Sequence, residues 1–446
     1  MKKSWLVVIS VLLIVMTACG KNNDATNSEA SEKPSSGAAE SGAKPVKLKF
    51  WHAWTGDDEV TKAFLQLIEK FQAEHPNIEL EMLATPHDSY KTLLKTAAAA
   101  NDMPDVFLTW AGAMTKELVD GQAIGPIDEL LQDKPEWRDN FLPNSFTDFT
   151  FGDQVYSVPM ELTPTSFVYY NKTLFDENNV KVPETWDELK TAIDTFKAKD
   201  IIPIALGNKA TWLAQSSIFS ALADRVTGTE WFLKAASLDG AQFTDPEFIQ
   251  ALGYLKELSD IGAFQDGFSS IDNVGQEQLY NQGKAAMFIE GAWAITNLVS
   301  QSPPDILEAT HLTVLPSIPG GKGNPQATSG VAGLGPAMSS KVSGDKKAAA
   351  FELIYALAGP EAQKLSVDNN KLVSYKVEAS PDKVSPLFAE ANRLVGTLEL
   401  TPVYDAVLPA AGTDAVNNGL MEVLLGAKPE DVANRIQKAV EQALGK

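Results

Sequence analysis

From residue 46 onward the chain alternates short apolar strands with amphipathic helices, and it begins in the order βαβαβ. Val46 to His52 (VKLKFWH) reads as a strand. A helix over 57–74 follows: Asp57, Asp58 and Glu59 suit its N-terminus, and Val60, Phe64, Leu67, Ile68 and Phe71 recur at helical spacing. His75-Pro76-Asn77 ends it, because the residue before a proline avoids helix. Ile78 to Leu83 reads as a strand with Ile78, Leu80 and Met82 on one face, then a helix over 88–100 and a strand over 105–109. Such an order predicts a parallel sheet covered by helices. Further on, a strand-rich stretch from Gln154 to Tyr170 precedes a helix over 185–199 and the strand-like Ile201 to Leu206. Later helices are predicted over 246–261, 275–283, 345–357 and 360–367.

Residues 46–446 are enough for two domains of ordinary size. With 44% hydrophobic and 9% aromatic residues, core material is ample. A formal charge of −21 disfavours nucleic acid and anionic membrane surfaces, which select for clustered Lys and Arg. Cys19 is the only cysteine, so no internal disulfide supports the body.

That cysteine ends a segment with the marks of an export signal. Lys2 and Lys3 form a basic start, Leu6 through Val15 is apolar, and Met16-Thr17-Ala18 precede Cys19. The apolar run is shorter than the roughly 20 residues a spanning helix needs, and it fits a secretory signal peptide. The pattern resembles the bacterial lipobox, with Met16 where Leu is usual. The resemblance implies cleavage before Cys19 and lipid attachment to its sulfur, on the extracellular face of the cytoplasmic membrane. Residues 20–45 are polar and small, a composition that predicts a flexible tether.

Motifs of catalysis are scarce. The histidines at 52, 75, 87 and 311 have no HExxH or other metal-ligand spacing, which argues against zinc. No GxSxG elbow, Walker loop or GxGxxG occurs, and no cofactor or metal is expected. Ser343-Gly-Asp-Lys346 matches a bare SxxK, but without companion motifs it reads as a helix N-cap at Ser343. Carboxylate pairs for glycoside hydrolysis could be drawn from 58 acidic residues, and nothing singles out any two.

Tryptophans are the distinctive feature. Trp51 and Trp54 flank the end of the first strand, Trp110 ends the third, Trp212 sits in a polar stretch, and Trp293 follows Glu290-Gly291-Ala292. Ligands of open α/β sheets bind outside the carboxyl ends of strands, or between domains. Indole faces suit the C–H faces of pyranose rings. Trp186, in Thr185-Trp-Asp-Glu, reads instead as a residue that packs a helix start, and Trp51 is as readily core as site.

Dispersed segments carry a resemblance to a known family. They are Asn101-Asp-Met-Pro-Asp105-Val-Phe, Tyr156-Ser-Val-Pro159 with Tyr169-Tyr-Asn171-Lys172, and Pro183-Glu-Thr-Trp186-Asp-Glu-Leu. Gly283-Lys-Ala-Ala-Met287-Phe-Ile-Glu290-Gly291-Ala-Trp293 and Ser329-Gly-Val-Ala-Gly333 follow in the same order. The chain resembles the family-one extracellular solute-binding proteins, sugar-binding lipoproteins of ABC importers, and shares the plan of maltose-binding proteins. The resemblance implies an α/β, two-lobed periplasmic-binding-protein-like fold of type II, with the ligand cleft between lobes. One lobe would take 46–157 plus 315–372 and the other 158–314 plus 373–446. It implies ligand contacts at Trp54, Gly56, Trp110, Glu161, Glu290, Gly291 and Trp293, with Trp212 added from its loop position. Its partners would be a carbohydrate, the permease subunits and, through the lipid, the membrane; the protein would be a monomer and not an enzyme. Where maltose-binding proteins carry a further aromatic platform, this chain reads Pro409-Ala-Ala-Gly412-Thr-Asp414, which argues against a long α-glucan. Two other readings stay open: an importer subunit for a non-sugar polar solute, and a secreted enzyme acting on glycans.

Overall fold

The computed structural model describes residues 45–446. The predicted signal segment, Cys19 and most of the tether lie outside the described residues. In chain order the strands are β1 (Val46–His52), β2 (Ile78–Ala84), β3 (Val106–Trp110), β4 (Ile124–Gly125), β5 (Thr150–Phe151), β6 (Gln154–Val155) and β7 (Thr163–Pro164). There follow β8 (Phe167–Asn171), β9 (Ile202–Ala205), β10 (Ala285–Glu290), β11 (Thr310–Val314), β12 (Ala327–Val331), β13 (Leu334–Ser339) and β14 (Glu399–Thr401).

Two large sheets organise the body. The first runs β2-β1-β3-β13-β4 and the second β11-β8-β10-β9. The predicted βαβαβ unit forms the parallel trio β2-β1-β3. Beyond it the expectation of a parallel sheet needs correction: β13 pairs antiparallel with both β3 and β4. The reason is connectivity, since β13 arrives from a segment that has crossed over from the second sheet. In that second sheet β10 is parallel to β9 and antiparallel to β8. Both β10 and β13 are buried along their whole length, which is why they read as unbroken runs rather than alternating ones.

The helices form where their caps and stripes predict. Asp58 accepts from the Thr61 N–H (2.8 Å) and opens the helix Glu59–Glu74, whose buried face is Val60, Phe64, Leu67, Ile68 and Phe71. Each such side chain stabilises by roughly 1.5–3 kcal/mol when fully buried. A complete capping box at Thr185 and Glu188 opens the helix Trp186–Lys197. Trp186 is 2% exposed there and donates its indole N–H to Glu257 (2.7 Å), a packing role as expected. The helix Asp345–Ala358 corrects one reading: its cap position is Gly344 rather than Ser343, with no side-chain cap bond, because the chain turns there at φ 57°. Pro409-Ala-Ala-Gly412 begins the helix Ala410–Leu424.

Apolar side chains gather on both sheets. Leu48, Phe50, Phe64, Phe107 and Leu353 belong to the core of the first. Alternation along β8 sends Val168 to one side of the second sheet and Phe167 and Tyr169 to the other. On the Val168 side lie Phe196, Phe219 and Phe248, with Leu420 and Ile436 from the C-terminal helices. At the outer edge of the first sheet, β2 leaves Met82 and Leu83 exposed, so the predicted one-sided face of that strand is buried only at its start.

The chain passes between the sheets three times, and the passages are tied together. A small sheet, β14-β12-β7, joins the first two passages to a strand that follows the third. Alongside it Met160 N–H donates to Leu334 C=O and Leu162 N–H to Leu372 C=O, both at 2.9 Å. Among the described residues no helix is long and apolar enough to cross a membrane.

Candidate functional site

Trp110, Trp212 and Trp293 come together, although they are far apart in sequence and come from two sheets. Each follows or ends a strand at its carboxyl end: Trp110 ends β3, Trp212 comes after β9, and Trp293 comes after β10. His87, at the start of the helix after β2, links them. Its ring lies 4.9 Å from that of Trp110, edge-on, and 6.2 Å from that of Trp212. Trp212 and Trp293 are 5.8 Å apart, tilted by 60°. All three indoles are half-buried, so part of each apolar face stays open. The result is a run of edge-on and tilted rings whose open faces can pack against a flat, C–H-rich surface.

Polar groups frame the rings. Lys91 Nζ sits 4.8 Å from the Trp110 ring centroid, a cation over a π face. Burial lowers the Lys91 pKa, and the opposing charges of Asp405 and Asp88 hold it up. Asp405 answers from the far wall: burial raises its pKa, and Lys91 and His87 pull it back. Desolvation likewise lowers His87, although 46% of its side-chain surface stays open to water. Glu161 forms an ion pair with Lys371, and its charge is felt at His87. Between crossing strands, it is held by the backbone bonds of its neighbours Met160 and Leu162.

The far wall is built with care around Trp293. Its indole N–H donates to Glu290 Oε1 at 2.6 Å. Glu290, at the end of β10, is 0% exposed, so it acts on the indole from behind rather than facing the cleft. A Cβ at Gly291 would fall 2.1 Å from the Trp293 ring; only glycine lets the ring fold back over the strand end. On the other side, Thr211 precedes Trp212 at φ 65°, costly for a β-branched residue. Asn208 fixes that turn, accepting from Ala214 N–H through its side chain (2.9 Å) and from Thr211 N–H through its backbone (3.0 Å). A π-helical stretch, Ala214–Phe219, follows at once, a distortion frequent at functional places.

Two of the sequence-derived residues lie elsewhere. Trp54 is 8% exposed and stacks on Phe64 at 4.8 Å, inside the core of the first sheet. Gly56 lies in the exposed loop leading to Asp58, whose carboxylate sits against it. Trp51 is partly buried against the same core, and its carbonyl accepts from the Tyr90 hydroxyl (3.0 Å). Missed by sequence reasoning were His87, Lys91 and Asp405. The first two had a signal: His87-Asp-Ser-Tyr-Lys91 opens a helix just past a strand end, where ligands of α/β sheets bind. Asp405 had none, since its place depends on how the C-terminal segment returns. No group of three or more metal-ligating side chains occurs among the described residues.

Comparisons with known proteins agree on this architecture. Residues 57–364 match the model of the family described as bacterial extracellular solute-binding protein. A multiple sugar-binding protein of Streptococcus mutans serotype c is 25% identical over 385 residues, covering 85% of this chain and 84% of that one. A structure solved in work on xylan utilization by the thermophilic bacterium Caldanaerobius polysaccharolyticus superposes with TM-score 0.80 at 28% identity, over 88% of this chain and 99% of that one. A chitin oligosaccharide binding protein shares the fold with TM-score 0.81 at 23% identity, over 89% and 98%. With its two α/β lobes, the chain belongs to the bacterial extracellular solute-binding proteins, a family of binding proteins rather than enzymes.

Proposed function

We propose that this protein captures a sugar or oligosaccharide between its lobes and delivers it to the permease of an ABC importer. The observation that carries this reading is the run of Trp110, His87, Trp212 and Trp293, drawn from both sheets and left half-open. Indole faces suit pyranose C–H faces, while Glu161, Lys91 and Asp405 supply polar partners for hydroxyls. The relatives' printed ligands, multiple sugars and chitin oligosaccharides, belong to the same class. The lobes we propose are 46–157 plus 315–372 and 158–314 plus 373–446, closing by a hinge at the three crossings. Glu290 and Gly291 serve the site by shaping Trp293, and Trp54 and Gly56 support the loop after β1.

A melting-temperature screen against mono- and oligosaccharides, amino acids and organic anions tests the ligand class. A sugar present at a hundred times its dissociation constant adds about 2.7 kcal/mol of stability. A shift with amino acids or anions and none with any sugar would replace this reading by one of a non-sugar solute. For placement, we propose acylation of Cys19 after signal cleavage, with more than one chain because a single one anchors marginally. Cys19→Ala should release the protein into the medium, and unchanged membrane retention would refute the anchor. A monomer is sufficient for this task.

A further inference from the structure

Behind Trp293 lies a second buried acid with no cation beside it. Glu277, on the helix Asn273–Asn281, is 2% exposed and lies one turn on from Asn273 and next to Gln276, both of which donate to Glu290, so its carboxyl group faces that of Glu290. Neither residue takes part in any ion pair among the described residues. Glu290 is already surrounded by N–H donors. Asn273 Nδ2 (2.9 Å) and Trp293 Nε1 (2.6 Å) donate to its Oε1, and Gln276 Nε2 (2.9 Å) donates to its Oε2. The Gln276 amide has no freedom to turn round, because its Oε1 accepts from the Gly207 N–H at 3.0 Å. Glu277 accepts only one such donor, Asn297 Nδ2 at 2.9 Å.

The donor count decides where the negative charge sits. Three fixed N–H groups converge on the oxygens of Glu290 and one on Glu277, and such bonds are stronger to an ionised carboxylate, so they place the charge on Glu290. Two buried carboxylates in contact cannot both be charged without a cation. We propose that Glu277 is a positioning residue for ligand capture: a neutral carboxylic acid that donates its proton to the Glu290 carboxylate and thereby fixes the Trp293 indole in the cleft. The inference rests on the reading of Trp293 as a cleft wall.

The surroundings agree. Burial and the Glu290 charge push Glu277 well above the usual carboxylate range. Burial raises Glu290 as well, while its bonds from Trp293, Asn273, Gln276 and Glu277 hold it back. The other ionisable groups that face the pair are Asp272, at the cap of the same helix, and Tyr169 from β8. Asp272 adds negative charge and favours the proton on Glu277. Tyr169 is held neutral by burial and by both acids, and its hydroxyl donates to the Gly291 carbonyl at 2.8 Å. Because burial shifts both acids upward on folding, ionising them costs stability as pH rises through the folded values, and the arrangement of one acid and one carboxylate holds between the value of Glu290 and that of Glu277.

The test separates an acid from an anion at each position. Gln at 277 can still donate to Glu290 and accept from Asn297, whereas Gln at 290 turns an N–H₂ group toward fixed donors. Indole N–H resonances of ligand-free protein, with Trp293 assigned through Trp293→Phe, give a readout that needs no sugar. Glu277→Leu and Glu290→Gln should move the Trp293 resonance and speed its exchange with solvent, and Glu277→Gln should restore both. The wild-type resonance should show a titration step above that of Glu290 as pH rises past neutrality, and Glu277→Gln should abolish that upper step. With xylotriose, maltotriose and triacetylchitotriose as probes, Glu277→Leu should weaken any binding by about tenfold, equivalent to about 1.4 kcal/mol. If Glu277→Leu does not fold, the pH profile of Glu277→Gln decides alone. A Glu277→Gln profile like the wild type, or a Gln as damaging as Leu, would overturn the assignment. If none of the three sugars binds the wild type while the spectra behave as stated, the sugar reading fails and the acid pair stands.

Discussion

Trp293 owes its place to three neighbours: a glycine beneath it, a carboxylate behind it, and Trp212 beside it. Truncating such an anchor typically costs on the order of 2 kcal/mol or more of binding, about thirtyfold in dissociation constant. Trp293→Ala should show that loss by titration calorimetry with the best sugar of the screen. Trp186→Ala is the comparison: its indole is buried on Glu257, so it should lower the melting temperature and leave affinity nearly intact. Wild-type affinity in the first variant with lost affinity in the second would place the cleft elsewhere. At this scale the sequence is only half legible. Trp54 and Trp110 both sit at the carboxyl ends of strands, and nothing local tells them apart. The difference is Phe64, which covers Trp54 from the next helix, whereas Trp110 meets His87 and Lys91.

Helices and strands were readable because each carries its own period and caps. The helix over Glu59–Glu74 ends at His75 as the His75-Pro76 pair predicts, and Thr185 with Glu188 closes a capping box. What one element cannot show is its tie to a distant one, and Arg225 is an example. On the helix Ser220–Thr227, it is 2% exposed and donates to four backbone carbonyls of one crossing segment: Asn324 (2.7 Å), Leu315 (3.2 Å), Pro325 (3.1 Å) and Ala327 (2.6 Å). Leucine there would leave those acceptors unpaired, at about 1–3 kcal/mol for each that water cannot reach. Arg225→Leu should therefore lose on the order of 3 kcal/mol or more in urea unfolding, and a loss under about 1 kcal/mol would show that the carbonyls find other donors. The antiparallel course of β13 was illegible for the same reason, since its direction is set by where the chain returns from.

At the scale of the whole molecule, the position of β13 constrains how the protein can be made. The strand lies between β3 and β4 in the first sheet, and β4 pairs with nothing else in that sheet. Yet β13 is synthesised only after every strand of the second sheet. Until residue 339 exists, the first sheet has a gap in its middle, and β3 presents an open hydrogen-bonding edge. Pairings so distant in sequence form slowly, and an open apolar edge invites association with other chains. A fragment of residues 45–330 should therefore lack a cooperative unfolding transition and aggregate, although it contains all of the second sheet. Adding a synthetic peptide of residues 331–372 should restore solubility if the missing strand is the cause, and a soluble, cooperatively melting fragment would contradict this. A growing chain of this topology has no safe intermediate to rest in. Whatever holds it unfolded must keep hold until just over three-quarters of the sequence has been made, which makes the timing of release part of what the sequence encodes.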